Sequence, residues 1–505
     1  MINRSIGDLL MKRTNNLLAL LLAALLALLP MTGCGETVAE TTADTSAAVD
    51  VAETEPEETK LTPDLPEADY EGYSFRMLTK GLYNVHWRSI DAVAEELTGE
   101  PINDAVFNRN TYVSETFNVK FEEITHTDMN PTPMAQKFIQ AGEDGFDVLL
   151  HGNEMRSLIT GGMMLDLKSI PYMDLEKPWY DQNANQALSI SNKLYMTAGD
   201  MTIMDNNATW CLQFNKPLAE DLNLGDLYDM VKEGKWTIDV LLSAVEMASQ
   251  DLNGDGKHVE FDQWGIEGES FNTTALMMGS GVKIFDKDEN DMPYLAIGTE
   301  HFFNTFEKAV AINGNMDWCL YVDNYTSKYP GDAVWSDCMD KCFAEGRSLF
   351  NFAGLNRVTL FREMETDFGI LPIPKWDEAQ EEYHNVVSLY CAALIGVPKT
   401  AGNPERTGVI LEALNAESMY TLTPAYYDIT LKTKSARDEE SSAMLDIIFE
   451  SRVYDLGNMF AWGGAFDLPG SLTKSGADKI ASQVETKKKS TETDMKKTLD
   501  AILES

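Results

Sequence analysis

From residue 70 onward, apolar and polar positions alternate at periods that name their elements. Tyr73-Ser74-Phe75-Arg76-Met77-Leu78 alternates residue by residue, the period of a strand with one buried face. Asn103 to Phe117 reads as a helix, with Asn103 or Asp104 as its N-cap. Asn118 to Ile124 is the next strand, Pro133 to Gly142 the next helix, and Phe146-Asp147-Val148-Leu149-Leu150 a strand of the buried kind. This β-α-β-α-β order predicts an α/β lobe built on a largely parallel sheet. Leu188 to Met201 reads as a hairpin turning at Ser191-Asn192, and Thr209 to Phe214 as a strand. From Asn215 to about Ala311 the pattern is mainly helical, broken by a Gly- and Asp-rich loop at 251–262. Ser336 to Glu345 is helical, Ser348 to Phe352 and Phe368 to Ile373 are strands, and Val386 to Val397 is one long apolar run. The last hundred residues are helical.

The N-terminus follows a different pattern. Leu17 to Leu29 is an unbroken run of Leu and Ala behind Lys12 and Arg13. A bilayer span needs ~20 apolar residues, so this run is too short to cross. It has the charged and apolar regions of a secretory signal, and Met11 would serve as well as Met1 as its start. After Pro30 comes Met31-Thr32-Gly33-Cys34, which resembles a bacterial lipoprotein cleavage box, although that box prefers Leu where Met31 stands. The resemblance implies lipidation of Cys34. Gly35 to Asp69 then carries 11 acidic residues against Lys60 alone. Such a stretch cannot bury enough apolar surface to fold, and its charges repel, so it is expected to be a tether. At ~3.4 Å per residue it reaches ~120 Å at most.

Charge and cysteine content narrow the function. The chain has 505 residues with 40 Lys+Arg against 81 Asp+Glu, a formal charge of −41. Nucleic-acid binding needs a clustered basic face, and peripheral binding to anionic lipid needs basic patches; this balance disfavours both. Beyond Cys34, five cysteines remain, too few for a disulfide-stapled fold, and Cys338 and Cys342 are expected to be buried small apolar residues. The six histidines (86, 126, 151, 258, 301, 384) show no metal-ligand spacing, and no phosphate-loop, dinucleotide, serine-hydrolase or zinc-protease motif is present.

One motif is specific. In Asp251-Leu252-Asn253-Gly254-Asp255-Gly256-Lys257, oxygen-bearing side chains alternate at positions 1, 3 and 5 and glycine stands at 6. Ca²⁺ takes six to eight oxygens, and such a loop can wrap the ion. The expected ligands are Asp251, Asn253, Asp255 and the Lys257 carbonyl, closed by Glu260 or by Asp262.

Several segments in order carry a resemblance. They are Phe214-Asn215-Lys216-Pro217-Leu218, Gly234-Lys235-Trp236-Thr237, the Asp-Asn-Gly-Asp-Gly loop, Gln263-Trp264-Gly265-Ile266, Phe343-Ala344-Glu345-Gly346-Arg347-Ser348-Leu349-Phe350 and Phe368-Gly369-Ile370-Leu371-Pro372-Ile373-Pro374. From Tyr70 to about Phe466 the chain resembles the sugar-type extracellular solute-binding proteins of ABC importers. In alginate-type members a similar loop binds calcium structurally, closed by acids at positions 9 and 10. Here Val259 leaves only Glu260 matching.

The resemblance implies an α/β, two-lobe periplasmic-binding-protein-like (class II) fold with a hinge. Residues 1–33 would be the signal and 34–69 the lipidated Cys and tether. Residues 70–208 plus about 391–420 would form lobe one. Residues 209–390 plus about 421–505 would form lobe two and the C-terminal helices. It also implies a lipid-anchored, non-enzymatic protein on the extracellular face of the cell membrane that captures a solute, a carbohydrate, for permease subunits. The expected ligand contacts are His86, Trp87, Asn153, Glu154, Asn207, Trp210, Asn356, Tyr390 and Trp462. A surface adhesin without a small ligand, or a secreted glycoside hydrolase, are the alternatives.

Overall fold

The computed structural model describes residues 60–80, 87, 89–125, 130–431, 439–474 and 477–504. The expected signal segment, Cys34, residues 35–59 of the expected tether, and His86 lie outside the described residues, whereas Leu65 and Ala68, at the end expected to be tether, pack against the core.

Nine main strands build two sheets: β1 (Tyr73–Thr79), β2 (Val119–Thr125), β3 (Val148–His151), β4 (Trp210–Asn215), β5 (Trp264–Gly268), β6 (Cys319–Tyr321), β7 (Ser348–Gly354), β8 (Phe368–Leu371) and β9 (Leu394–Gly396). The first sheet has the order β9-β3-β1-β2, with β1 parallel to both β2 and β3 and β9 antiparallel to β3. Parallel strands are joined by crossover helices that cover their faces. Accordingly all four residues of β3 are buried, and Pro101–Phe117 and Thr132–Ala141 are the crossover helices. The second sheet has the order β8-β4-β7-β5-β6; β4 is antiparallel to β7 and β8, while β5 is parallel to β6 and β7.

The first crossover helix begins earlier than its polar residues suggest. Pro101 occupies its first turn, where a missing N–H costs nothing, and Glu100 is the N-cap. Asp104 instead accepts the N–H groups of Thr98, at 2.8 Å, and Gly99. Arg109 is fully buried on this helix and donates to the carbonyls of Met201 at 2.8 Å and Asp91 at 2.7 Å, tying three segments together. The hairpin turn falls at Ser191 and Asn192, both with positive φ, between the bridged Ile190 and Lys193.

Two expectations change. The apolar run at 386–397 is not one strand: Asn385–Val386 pairs with Arg452–Val453, Leu394–Gly396 is β9, and a turn closed by Cys391 N–H on Ser388 O separates them. The stretch from 215 to 311, read as mainly helical apart from a strand at Trp264, also holds a short antiparallel pair, Phe285–Lys287 with Pro293–Leu295. Past the boundary expected near 420, Leu422 and Tyr426 still cluster with Ile102, Val106 and Ile203 beside the first sheet. Leu445 and Ile448 pack with Phe368 and Ile370 of β8. Trp236 and Trp264 are core residues, and Cys211, Cys319, Cys338, Cys342 and Cys391 are buried thiols. Among the described residues no helix is long and apolar enough to cross a membrane.

Candidate functional site

A cavity of about 460 Å³ lies where segments of both sheets' surroundings meet. Its size is that of a small-molecule site. Trp87 reaches it from the segment after β1. Trp210 opens β4, Ala353 and Gly354 end β7, and Ser388, Tyr390 and Cys391 come from the turn before β9. The other walls are Glu269, Phe271, Asp332, Trp335, Met339 and Arg357.

Aromatic faces dominate this wall. Trp87 and Trp210 stack nearly parallel, 6° apart with centroids at 6.0 Å, and Phe271 meets Trp210 edge-on at 5.0 Å. Trp210 Nε1 donates to Asn272 Oδ1 at 3.1 Å, which fixes its ring. Gly354 makes this packing possible: a Cβ there would sit 2.6 Å from the Asn207 carbonyl oxygen and 3.0 Å from Trp87 Cη2. The rings offer large apolar contact with few rotors to freeze.

Polar groups are set between the rings. Trp335 Nε1 donates to Glu269 Oε2 at 3.1 Å, and burial pushes the Glu269 carboxyl above its ordinary range. Arg357 is 5% exposed, and its Nε lies 2.8 Å from Asp340 Oδ1. Burial raises Asp340 to about 6, against the opposing pull of Arg357. Arg357 Nη1 is buried with no hydrogen-bond partner.

The turn that carries Ser388 and Tyr390 is held from below. Lys80, at the end of β1, is buried and donates to the carbonyls of Tyr390 at 2.7 Å and Cys391 at 3.0 Å. Burial pulls its ammonium down to about 8. Burial, then the charge of Lys80, depresses His151 well below the usual histidine range. Gly152 admits the turn, since any Cβ there would strike the Leu389 carbonyl, and Asn153 N–H donates to that same carbonyl at 2.8 Å.

Of the residues expected from sequence, Trp87, Trp210 and Tyr390 line this one cavity. Asn356 lies beside it, next to Arg357 and near Gly354. His86 lies outside the described residues, and the side chains of Asn153, Glu154, Asn207 and Trp462 do not line the cavity. Asn153 Nδ2 donates to Asn458 O, Glu154 is ion-paired with Arg156 at 3.1 Å, and Asn207 accepts from Tyr426 at 3.0 Å. Trp462 is 2% exposed, stacked on Phe460 at 5.1 Å, with Nε1 on Thr498 at 2.9 Å: it is a core ring under the C-terminal helix Ile480–Glu504. Arg357, expected with Asn356 in the loop after the Ser348 strand, also lines the cavity, whereas Glu269, Phe271, Asp332 and Trp335 were not expected. A GRSLF-type strand followed by Asn356-Arg357 pointed to the neighbourhood of Arg357; nothing local marks the rest.

The acidic loop is ordered by its own N–H groups. Asp251 accepts from Gly254 and Gly256, both at 2.8 Å, Asn253 from Asp255, and Asp255 from Lys257. Gly254 and Gly256 both have positive φ, as a tight wrap requires. Glu260 is buried and turned to Lys328 and Tyr329. Asp262 accepts from Leu252 and Val259. No three His, Cys, Asp or Glu side chains converge as a metal site among the described residues. The side-chain oxygens of Asp251, Asn253 and Asp255 are thus turned to the loop's own N–H groups, and Glu260 is held away by Lys328.

No protein-family model matches the sequence, and no curated protein is similar to it. Solved structures do match. The maltose/maltodextrin-binding domain MalE from Bdellovibrio bacteriovorus, bound to maltotriose, aligns over 84% of this chain and 100% of its own, with TM-score 0.53 at 13% identity. RafE from Streptococcus pneumoniae, in its apo form, aligns over 83% and 98%, with TM-score 0.54 at 14% identity. The GacH receptor of Streptomyces glaucescens aligns over 85% and 97%, with TM-score 0.51 at 11% identity. The chain has the two-lobe fold of sugar-type ABC solute-binding proteins. In it the cavity falls between the lobes, at the ends of β1, β4 and β7.

Proposed function

We propose that this protein is a solute-binding protein that captures a carbohydrate between its lobes and delivers it to ABC permease subunits, anchored to the outer face of the cell membrane through lipidated Cys34. The observation that carries this reading is the interlobe cavity itself, with stacked aromatic faces beside Arg357, Glu269 and Ser388. Sugar rings present apolar faces and a fringe of hydroxyls, which is the complement of that wall. Closure of the lobes follows from differential affinity: a solute that touches both lobes binds the closed state better and populates it. The site needs no turnover, so the protein is read as a binder and not as an enzyme.

The test is titration of intrinsic fluorescence with neutral oligosaccharides, since Trp87, Trp210 and Trp335 all line the cavity. A saturable change is expected. Tyr390→Ala, at a ring 57% exposed, should weaken the same titration by ~10-fold or more while leaving the melting temperature of the free protein nearly unchanged. Absence of any saturable response across the panel, together with an unshifted melting temperature, would favour the adhesin reading instead.

A further inference from the structure

Ionisable side chains are distributed unevenly around the interlobe cavity. Glu269, Asp332 and Arg357 line it, and Asp340 already neutralises Arg357 at 2.8 Å. Asp323 stands close enough to Glu269 to act on its charge, with Oδ2 accepting Ser270 N–H at 3.2 Å. Two carboxylates therefore line the cavity against one guanidinium, Asp340 and Asp323 stand behind them, and Lys80 stands behind the turn of Tyr390 and Cys391; Arg357 is the one cation among the described residues lining the cavity. The rings of Trp87, Trp210, Phe271, Trp335 and Tyr390 complete the wall, and their faces are electronegative as well.

Arg357 supplies a second, independent pointer to a ligand. Its Nη1 is a buried donor without a hydrogen-bond partner, on a side chain 5% exposed that lines the cavity. An orphaned buried donor is costly, so it is explained by a ligand acceptor that completes it. Because Asp340 already balances the guanidinium charge, the acceptor that suits Nη1 is a hydroxyl, ring or carbonyl oxygen and not a full anion.

We propose that the cleft takes uncharged and amine-bearing saccharides and excludes acidic ones, such as uronates and phosphorylated sugars. Glu269 and Asp332 accept from ligand hydroxyl or ammonium groups, and Arg357 Nη1 donates to a ligand oxygen. An anionic sugar would bring a like charge beside two carboxylates in a partly enclosed cavity, where repulsion is screened less than in open solvent. Burial already raises Glu269, and a bound ammonium group would relieve that strain by favouring the charged carboxylate.

This proposal rests on the carbohydrate reading above, and matched probes separate the two. Calorimetry on the purified full chain would compare mannotriose with trimannuronate, galactotriose with trigalacturonate, and N-acetylated with free chitotriose. Within each of the first two pairs that binds, the neutral member should bind at least ~30-fold tighter than the acidic one, and free chitotriose should bind no more weakly than its N-acetylated partner if either binds. An acidic member that binds as tightly as its neutral partner overturns the charge selection while leaving carbohydrate capture intact. No binding by any pair overturns the carbohydrate reading and this proposal with it. The double variant Glu269→Gln/Asp332→Asn, with folding checked by near-ultraviolet circular dichroism, should narrow the discrimination by ~10-fold or more. Unchanged discrimination in that folded variant overturns the assignment to these two carboxylates.

Discussion

Replacing Lys80 by Met tests whether a buried charge sets the turn under the cleft. Lys80 is 1% exposed, its Nζ is satisfied by two backbone carbonyls, and burial lowers it from 10.5 to about 8. The unfolded chain holds its proton up to about 10.5, so between these values the unfolded state binds more protons and stability rises with pH. Below about pH 8 the native state bears the whole cost, about 3 kcal/mol for a shift of this size. Lys80→Met removes that cost and also removes two charge-assisted hydrogen bonds, each worth roughly 1.5–3 kcal/mol. The two terms nearly cancel near neutral pH, so the variant should fold.

What the variant cannot reproduce is the slope. Wild type should gain about 2 kcal/mol relative to Lys80→Met between roughly pH 7.5 and 9.5, where the native ammonium gives up its proton first. The measurement is the difference in unfolding free energy at matched pH, in which other titrating groups cancel. A second readout is solute capture. The turn holding Ser388 and Tyr390 loses its anchors in the variant, so affinity should fall even at pH 7, where stability barely changes. A stability difference that stays flat from pH 7.5 to 9.5 would show that Lys80 is not a desolvated cation, and the reasoning fails.

Three further outcomes are expected. Glu412 is buried, accepts from Trp179 at 3.2 Å and Tyr180 at 2.8 Å, and is raised by burial to about 7. The native state therefore holds this proton longer than the unfolded chain, and wild type should lose roughly 2–3 kcal/mol relative to Glu412→Gln between pH 5 and 8; parallel pH profiles would refute it. Cys34→Ala should move the protein from the membrane fraction to the medium or leave it as precursor, and fractionation identical to wild type would rule out lipidation. The loop of Asp251, Asn253, Asp255 and the Lys257 carbonyl is proposed to take Ca²⁺, with closure competing against the Glu260–Lys328 pair. Millimolar Ca²⁺ should then raise the melting temperature, more so in Lys328→Ala and not in Asp255→Ala. No shift in any of the three proteins refutes calcium binding.

By itself the sequence determined the local elements: the alternating strand at Tyr73, the βαβ order up to Leu150, the turn at Ser191-Asn192, the strand at Trp210 and the Asp-Gly loop. Each depends on spacing within a short window, which backbone geometry converts directly into structure. The family resemblance pointed to Trp87 after the first strand and to Trp210 and Tyr390 at the two lobe crossings, and the structure brings those three to one cavity. The helix start at Pro101 was less legible, because proline needs no polar cap there, and so was the three-residue pairing of Phe285–Lys287 with Pro293–Leu295, too short to show a period.

Only the tertiary structure decided the rest of the wall. Glu269, Phe271, Asp332 and Trp335 come from two separate stretches of chain, and they meet the Trp210 and Arg357 segments because the sheet order sets β7 between β4 and β5. The same packing took Trp462 away from the cleft and buried it under a helix that begins at Ile480. A tryptophan serves equally as core or as ligand platform. Which of the two it becomes depends on what stands opposite its face, and that is a long-range contact no local pattern encodes.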